Sequence, residues 1–321
     1  MKPELLMPLV DALADGAWHS GEALAKPFSI TRAALSKRMA ALADLGLTVE
    51  SRTRVGYRLS QALDRLDADV IQKKLSPLAA TRLRAVNAVA LTDSTNTQLL
   101  NAGGAHDPQA LLAEFQSAGR GRRGREWVSP FGANLYLSLA WTFSGWPAQI
   151  TALPLAVGVA CARALPNLPG LALKWPNDLW VDGRKLGGIL IEQRGEAGAD
   201  CRAVIGIGLN VAMQKSQARG ITQDWTSLRA EGVQTSRNVL AAGLLSKLVE
   251  ALLAFEAKGF APFAAEWAQH DATLGKKISI QQGTESLPGI GRGVDDDGAL
   301  KLEVRGKLRR VLSGDVSLRL V

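Results

Sequence analysis

Apolar residues recur at helical spacing through the first part of the chain, residues 1–62, and then alternate with polar residues in a short ribbon. Ser20 and Thr31 stand where the second and third predicted helices begin, as capping residues do. Between Lys26 and Arg58, seven lysine and arginine residues outnumber two acidic ones. A basic helix after a turn, followed by a basic ribbon, predicts a winged helix-turn-helix that binds DNA, although a small helical protein-interaction module would give a similar pattern. The residues expected to contact DNA are Thr31, Arg32, Ser36, Lys37 and Arg54.

The middle of the chain combines short apolar runs with long apolar stretches of helical spacing. Residues 63–84 are polar and charged, and we expect a linker there. Residues 85–270 predict a mixed α/β domain that includes a hairpin at Asp182-Gly183, a strong two-residue turn signal. The long helices are expected at 150–165 and 239–255, and the strands at 86–91, 110–115, 135–141, 171–175, 189–192 and 204–211.

The last region, residues 271–321, alternates polar and apolar residues around two turns. The turns are predicted at 295–298 and 305–307, and the strands at 277–280, 300–304 and 316–320. This spacing predicts a small β-barrel. We therefore expect an α+β multidomain protein with three folded regions.

Composition narrows the classes of function. The 321 residues carry a formal net charge of +8, which favours acidic partners such as nucleic acid, nucleotide phosphates or an acidic protein. The two cysteines, Cys161 and Cys201, predict neither a disulfide framework nor a zinc site, and the three histidines have no metal-binding spacing. The sequence offers no apolar run long enough to span a membrane and no signal peptide, so we expect a cytoplasmic protein without a membrane partner.

A basic, glycine-rich run is the strongest chemical signal in the chain. Residues 119–125 read Gly-Arg-Gly-Arg-Arg-Gly-Arg. Glycine lets the backbone approach a ligand closely, and arginine offers forked donors that match carboxylate and phosphate oxygens. A solvated surface run, or a nucleic-acid or localisation patch, would look the same in isolation. Three further polar segments, at 93–96, 174–178 and 184–190, adjoin apolar runs, where ligand sites often lie.

The inventory of reactive residues argues against several mechanisms. The sequence has no Gly-x-Ser-x-Gly elbow, no P-loop, and no Gly-x-Gly-x-x-Gly between a strand and a helix. Without a histidine near a candidate nucleophile, acyl-enzyme hydrolysis is not expected. The remaining set contains many cations, a few hydroxyls and amides, and one well-placed acid, Asp178. That set suits phosphoryl or nucleotidyl transfer with Mg²⁺, in which the protein positions anions and neutralises charge.

In order along the chain, these segments resemble the signatures of the biotin protein ligases, specifically the bifunctional class that also represses biotin biosynthesis. The matching motifs are residues 119–125 with Trp127, Lys174-Trp175-Pro176-Asn177-Asp178, and Lys185-Leu186-Gly187-Gly188-Ile189. The resemblance covers nearly the whole chain. It implies a winged helix-turn-helix, a catalytic domain of the biotin/lipoate ligase type and an SH3-like C-terminal barrel. The sequence departs from the family pattern at Glu126, where a base is common, and at Gly187-Gly188, in place of a frequent alanine-glycine.

The resemblance implies ATP-dependent ligation of biotin in two steps. The carboxylate of biotin would attack the α-phosphate of ATP, with Mg²⁺, to give biotinyl-5′-AMP and pyrophosphate. A lysine amine on the biotin carboxyl carrier protein of acetyl-CoA carboxylase would then attack the adenylate. In the bifunctional class the adenylate also favours a homodimer that binds operator DNA.

The resemblance also implies roles for individual residues. Lys185 and Arg122 would be catalytic, and Asp178 would contact the metal. The implied biotin-binding residues are Ser94, Thr95, Asn96, Gln116, Arg120, Gly121, Arg122 and Lys185. The implied nucleotide-binding residues are Arg125, Lys174, Asn177, Asp178, Asn210 and Trp225. Structural roles without ligand binding stay open, since Ser94 and Thr95 could cap a helix and Lys185 could be a solvated hairpin lysine.

Two other functions stay open at this point. A DNA-binding regulator could sense a ligand in its central domain without turning it over. A lipoate or octanoate ligase would share the catalytic fold, but Ser94, Thr95 and Gln116 favour a ligand with a polar ureido ring over one that lacks it.

Overall fold

The structure is a computed structural model that describes residues 3–165, 167–195, 199–218, 220–282, 285–312 and 316–320. Its N-terminal region holds three helices and an antiparallel hairpin, in the predicted order. The helices are α1 (Met7–Leu13), α2 (Gly21–Ala25) and α3 (Arg32–Ala41), and the strands are β1 (Val49–Arg52) and β2 (Gly56–Leu59). Ser20 and Thr31 cap α2 and α3 by accepting hydrogen bonds from the backbone N–H groups of Ala23 and Ala34. The helices pack around fully buried leucines such as Leu9.

The central region is built on a seven-stranded sheet that two short linker helices, α4 (Ala68–Lys73) and α5 (Pro77–Arg82), precede. The strands are β3 (Ala85–Thr92), β4 (Gln109–Gln116), β5 (Leu135–Phe143), β6 (Leu171–Lys174), β7 (Asp178–Val181), β8 (Arg184–Arg194) and β9 (Cys201–Leu209). They lie in the order β3-β4-β5-β9-β8-β7-β6, and of these neighbours β3 and β4 are parallel while the other pairs are antiparallel.

Helices cover both faces of this sheet, and the alternation along β5 shows how. Leu137 and Leu139 point into the large core with α7 (Leu153–Ala164) and α8 (Arg237–Lys258), because successive side chains on a strand face opposite ways. Ala140 lies on the other face with α6 (Thr95–Ala102). Ser138 shares that second face, so a polar group of β5 reaches the start of α6. A final helix of the central region, α9 (Ala261–His270), packs on α7 and was not predicted.

The C-terminal region is a five-stranded antiparallel sheet in the order β13-β12-β11-β10-β14. Its strands are β10 (Lys277–Gln282), β11 (Glu285–Val294), β12 (Leu300–Val304), β13 (Lys307–Val311) and β14 (Val316–Leu320). The sequence predicts β10, β12 and β14 but not β11 or β13. Strand β11 contains Pro288 and three glycines, and β13 is an edge strand rich in lysine and arginine, so both lack the usual strand composition.

One helix corrects the expectation about membrane spans. Helix α8 is long and apolar enough to cross a membrane by length and composition. However, 67% of its most apolar window is buried inside the protein, where it packs on α7 and β5. A core helix meets the same criteria as a membrane span, and α8 has the contacts of a core helix.

A buried cluster of charges joins the N-terminal region to the central sheet. Glu114 on β4 is 2% exposed and accepts hydrogen bonds from Arg237 Nη2 at 2.7 Å and from Arg65 Nε at 3.1 Å. Arg65 also pairs with Asp11 of α1. Glu114 and Arg237 are the buried members, and Arg65 links them to Asp11, so the cluster connects the two regions.

Two loops of the central region meet the N-terminal region at one turn. The backbone N–H of Phe131 donates to the carbonyl oxygen of Leu45 at 2.8 Å. The side-chain amide of Gln217 donates to the carbonyl oxygen of Gly46, also at 2.8 Å. The same two loops line the cleft described next.

Candidate ligand-binding cleft

A cleft of about 1030 Å³ lies beside the start of α6, on the face of the central sheet that α6 covers. All four segments singled out in the sequence contribute to its walls. Every residue proposed above to bind biotin or nucleotide lines it: Ser94, Thr95, Asn96, Gln116, Arg120, Gly121, Arg122, Arg125, Lys174, Asn177, Asp178, Lys185, Asn210 and Trp225. Residues separated by more than 100 positions in the sequence therefore share one site.

One end of the cleft is a buried cluster of hydroxyls and amides. Ser94 accepts from the backbone N–H of Thr97 as the cap of α6, while Gln116 Oε1 accepts from the backbone N–H of Thr95 at 2.9 Å. Ser138 contacts Thr95 Oγ1 at 2.7 Å and donates to Asn96 Oδ1 at 2.6 Å. Ser94 therefore caps α6, and the same residue also lines the cleft.

Asn96 is held firmly in this cluster. Its Nδ2 donates to the carbonyl oxygen of Leu190 at 3.2 Å and to Glu192 Oε2 at 3.0 Å, and Asn96 is only 4% exposed. Both amide hydrogens therefore have protein acceptors. Gly206 makes room for this amide, since an added Cβ would lie 2.3 Å from Asn96 Oδ1.

The middle of the cleft is strongly cationic. Lys185 Nζ lies 2.9 Å from Asp178 Oδ1, and Arg122 Nη1 donates to Asn177 Oδ1 at 3.2 Å. Burial lowers the pKa of the Arg122 guanidinium from its usual value, and the charge of Arg123 lowers it further while Asp178 opposes the shift. An arginine stays charged even so, and a partly buried charge acts more strongly on an anion than a solvated one.

Trp127 forms an aromatic wall beside these charges. Lys185 Nζ lies 5.4 Å from the centre of its ring. Gly188 and Gly208 back the ring closely, and an added Cβ at Gly208 would lie 2.4 Å from Trp127 Cε2. The indole Nε1 is buried close to Gly208 and has no hydrogen-bond acceptor among the described residues.

The far end of the cleft combines another tryptophan with buried amides. Trp225 adjoins β8, because the backbone N–H of Lys185 donates to the carbonyl oxygen of Asp224 at 3.0 Å. Asn210 is 4% exposed and donates to the carbonyl oxygen of Thr226 at 3.0 Å. Lys174 lies over the ring of Trp180, with its Nζ 4.1 Å from the ring centre.

Carboxylates are sparse in the cleft. The described residues include no group of three or more histidine, cysteine, aspartate or glutamate side chains able to hold a metal ion. Asp178 is a single carboxylate in the cationic middle, about 18% exposed. Magnesium usually takes one or two carboxylates and completes its shell with waters and substrate phosphates. Asp178 fits that pattern only for a metal that arrives with a phosphorylated ligand.

The residues proposed to contact DNA are exposed residues of the N-terminal region, and none of them lines the cleft. Arg32, Ser36 and Lys37 are exposed on α3, opposite its buried stripe. Thr31 is exposed and caps that helix. Arg54 is exposed at the turn between β1 and β2, with φ of 64°. The arrangement presents a basic helix and a basic hairpin to solvent.

Sequence reasoning missed several contributors to the site. Ser138, Glu192, Gly206 and Gly208 lie in strand interiors whose apolar pattern predicts only core packing. Glu192 and Ser138 are isolated polar residues within these apolar runs. That isolation is the signal that could have found them, because a buried polar group needs a hydrogen-bond partner.

Comparison with known proteins identifies the family. Three family models match the chain: an HTH domain at residues 12–58, the Biotin/lipoate A/B protein ligase family at 88–210, and the Biotin protein ligase C terminal domain at 273–319. The bifunctional ligase/repressor BirA of Salmonella typhimurium is 40% identical over 316 residues, which cover 98% of this chain and 97% of that protein. The chain belongs to the biotin protein ligase family.

Further relatives agree with this assignment to the biotin protein ligases. The biotin--[acetyl-CoA-carboxylase] ligase of Mycobacterium tuberculosis is 36% identical over 249 residues, 74% of this chain and 90% of that protein. Among solved structures, the biotin protein ligase from Aquifex aeolicus in complex with biotin and ATP has a TM-score of 0.63 and 26% identity, and covers 74% of this chain and 100% of its own. The family resemblance read from the motifs is confirmed, as are the helix-turn-helix and ligase catalytic regions.

Proposed function

We propose that this protein is an ATP-dependent biotin–[acetyl-CoA-carboxylase] ligase. In the first step a biotin carboxylate oxygen attacks the α-phosphorus of ATP, and the bond to pyrophosphate breaks. In the second step a carrier-protein lysine amine attacks the carbonyl carbon of biotinyl-5′-AMP, loses a proton, and expels AMP. The relatives named as bifunctional ligase/repressor and as biotin--[acetyl-CoA-carboxylase] ligase support both the reaction and the carrier as its acceptor.

One observation carries this proposal: a single cleft joins a polar closed end to a cationic middle. The hydroxyls and amides of Ser94, Thr95, Asn96 and Gln116 surround the end where the ureido ring of biotin would lie. A lipoate thiolane has no ureido N–H or carbonyl group to hydrogen-bond with this polar end, which disfavours it.

Charge neutralisation is the chemistry that the middle of the cleft can supply. Lys185 and Arg122 are proposed to hold the biotin carboxylate and the α-phosphate together and to balance the charge that develops between them. Asn177, Asp178, Lys174, Arg125, Asn210 and Trp225 would hold the nucleotide. Mg²⁺, held by Asp178 and the nucleotide phosphates, would supply further neutralisation of phosphate charge.

We also propose that the protein represses transcription when its adenylate is bound. Arg32, Lys37 and Arg54 are exposed and cationic, as contacts to DNA phosphates require. A homodimer would place two winged helix-turn-helix domains on a two-fold operator. The proposed domains are 1–62 for DNA binding, 63–84 for the linker, 85–270 for catalysis and 271–321 for an SH3-like barrel, and a cytoplasmic location suits these partners.

The proposal is tested by incubating the protein with ATP, Mg²⁺ and either biotin or lipoate, with detection of acyl-adenylate and pyrophosphate by mass spectrometry. We expect biotinyl-5′-AMP and no lipoyl-adenylate. Adenylate from lipoate alone would make the protein a lipoate ligase. No adenylate from either acid would leave a ligand-sensing regulator in place of an enzyme.

A further inference from the structure

Glu192 on β8 connects the basic loop, residues 119–125, to the polar end of the cleft. Its Oε1 lies 2.9 Å from Arg120 Nη2, and its Oε2 accepts from Arg120 Nη1 at 3.3 Å. The same Oε2 accepts from Asn96 Nδ2 at 3.0 Å. One carboxylate therefore holds an arginine of the loop and an amide of the polar cluster at the same time.

The position of Glu192 suits support of the site better than direct contact with a ligand. Its side chain is 21% exposed and lies behind Asn96 and Arg120, both of which line the cleft. Because the guanidinium and the carboxylate meet through two pairs of atoms, the contact fixes the direction of the arginine as well as its distance.

The pair also completes a ring of hydrogen bonds around the polar end. On one side Gln116 donates to Ser129 Oγ at 3.0 Å, and Ser129 donates to the carbonyl oxygen of Trp127 at 2.9 Å, at the base of the basic loop. On the other side Glu192 holds Arg120, near the start of that loop. Both ends of the loop are thereby tied to the groups that would hold the ureido ring.

We propose that Glu192 is a positioning residue that latches the basic loop over bound biotin and biotinyl-5′-AMP, an inference that rests on the proposed function. The carboxylate fixes Arg120 above the ligand and fixes the orientation of the Asn96 amide below it. Loss of the carboxylate opens the loop, so the adenylate leaves before it meets a carrier. A glutamine at this position has no negative charge, and an NH₂ group that cannot accept from Arg120 replaces one of the two oxygens, so the paired contact with the guanidinium is lost.

The test measures how fast the full-length protein releases preformed biotinyl-5′-AMP into a chase of unlabelled adenylate. We expect Glu192→Gln and Glu192→Ala to release it about tenfold faster than the wild type, which corresponds to a tenfold weaker hold on the closed state. The half-saturating biotin concentration should rise by a similar factor, while the first-step rate at saturating biotin changes by less than about threefold. Glu303→Gln, which removes a solvent-accessible partner of Arg292 far from the cleft, is the matched control and should leave release unchanged.

Two further readouts separate latching from a general structural role. Trypsin should cut the Glu192 variants within the basic loop even with adenylate bound, whereas the adenylate should protect that loop in the wild type and in Glu303→Gln. In a double-mutant cycle, Arg120→Gln combined with Glu192→Ala should release the adenylate more slowly than the product of the two single effects predicts, because both variants disrupt the same contact.

The outcomes separate a failure of the latch from a failure of the proposed ligase function. A wild type that forms no biotinyl-5′-AMP overturns the proposed function and the latch with it. The latch alone is overturned if the wild type forms the adenylate but Glu192→Gln and Glu192→Ala release it at the wild-type rate and keep the loop protected from trypsin. Effects of Arg120→Gln and Glu192→Ala that multiply in the double variant also overturn it.

Discussion

Replacing Gly208 by alanine is expected to damage the cleft while leaving the fold largely intact. Gly208 lies on β9 next to the last residue of that strand, and its backbone needs no left-handed conformation. An alanine is therefore compatible with the main chain. The added Cβ would lie 2.4 Å from Trp127 Cε2 and 2.7 Å from both Cζ2 and Nε1. The indole ring must then move by about 1 Å to regain ordinary van der Waals contact.

This displacement gives the magnitude of the expected effects. Overpacking costs about 1–3 kcal/mol, and the entropy that alanine removes from the unfolded chain offsets about 0.5–1 kcal/mol of it. The net loss of unfolding free energy is thus about 0–2.5 kcal/mol. A shift of about 1 Å in a positioning group can lower a reaction rate by up to about 100-fold. Because Trp127 flanks Lys185, we expect kcat/KM for adenylate formation to fall about 10- to 100-fold.

Pyrophosphate release and thermal unfolding of the same samples measure the two effects. Gly243→Ala in α8 is the control, because its nearest new contact would be a carbonyl oxygen 3.9 Å away. That variant should have wild-type kinetics and gain about 0.5–1 kcal/mol of stability, since alanine favours helices over glycine. Wild-type kcat/KM in Gly208→Ala would show that the position of Trp127 does not matter to the reaction.

Three other perturbations have defined outcomes. Glu114→Ala leaves Arg237 buried without its carboxylate and should cost about 3–5 kcal/mol in urea unfolding, and a loss below about 1 kcal/mol would contradict the structural role of the cluster. The double variant Arg32→Ala, Lys37→Ala should weaken operator binding by about tenfold or more and flatten its salt dependence in gel-shift assays, with unchanged biotin transfer; equal operator affinity would exclude α3 from the DNA interface. Burial raises the pKa of the Cys161 thiol to about 12. The unfolded thiol ionises near pH 8.5, so ionisation favours the unfolded chain above that pH, and stability should fall as pH rises from about 9 to 12. Cys161→Ala should reduce that fall, and an identical pH profile would contradict the assigned burial effect.

Local signals in the sequence predicted much of this fold. Ser20 and Thr31 cap their helices because a cap depends on residues only three positions away. The hairpin at Asp182-Gly183 forms for the same reason, with φ of 47° and 78° at its two central residues. Strand β11 escaped prediction because its glycines and Pro288 are stabilised there by neighbouring strands rather than by their own propensity.

The candidate site likewise combines features that local sequence predicts with features that depend on distant strands. The basic loop and the motifs around Asp178 and Lys185 are contiguous, so their chemistry could be read along the chain. Glu192 and Ser138 belong to strands whose pairing brings them beneath Asn96, about 40 to 100 residues away in sequence. No local pattern predicts that approach, and it follows only from the order of strands in the sheet.

The most direct measurement is the intact mass of a biotin carboxyl carrier domain after incubation with this protein, ATP, Mg²⁺ and biotin. With the wild-type protein we expect a single biotin adduct, located on one lysine by peptide mapping. With Lys185→Ala we expect the adduct to form at least about 100-fold more slowly, because a charge that stabilises the transition state is lost. A carrier that stays unmodified by the wild type, or that Lys185→Ala modifies at the same rate, would contradict the proposed reaction and its central residue.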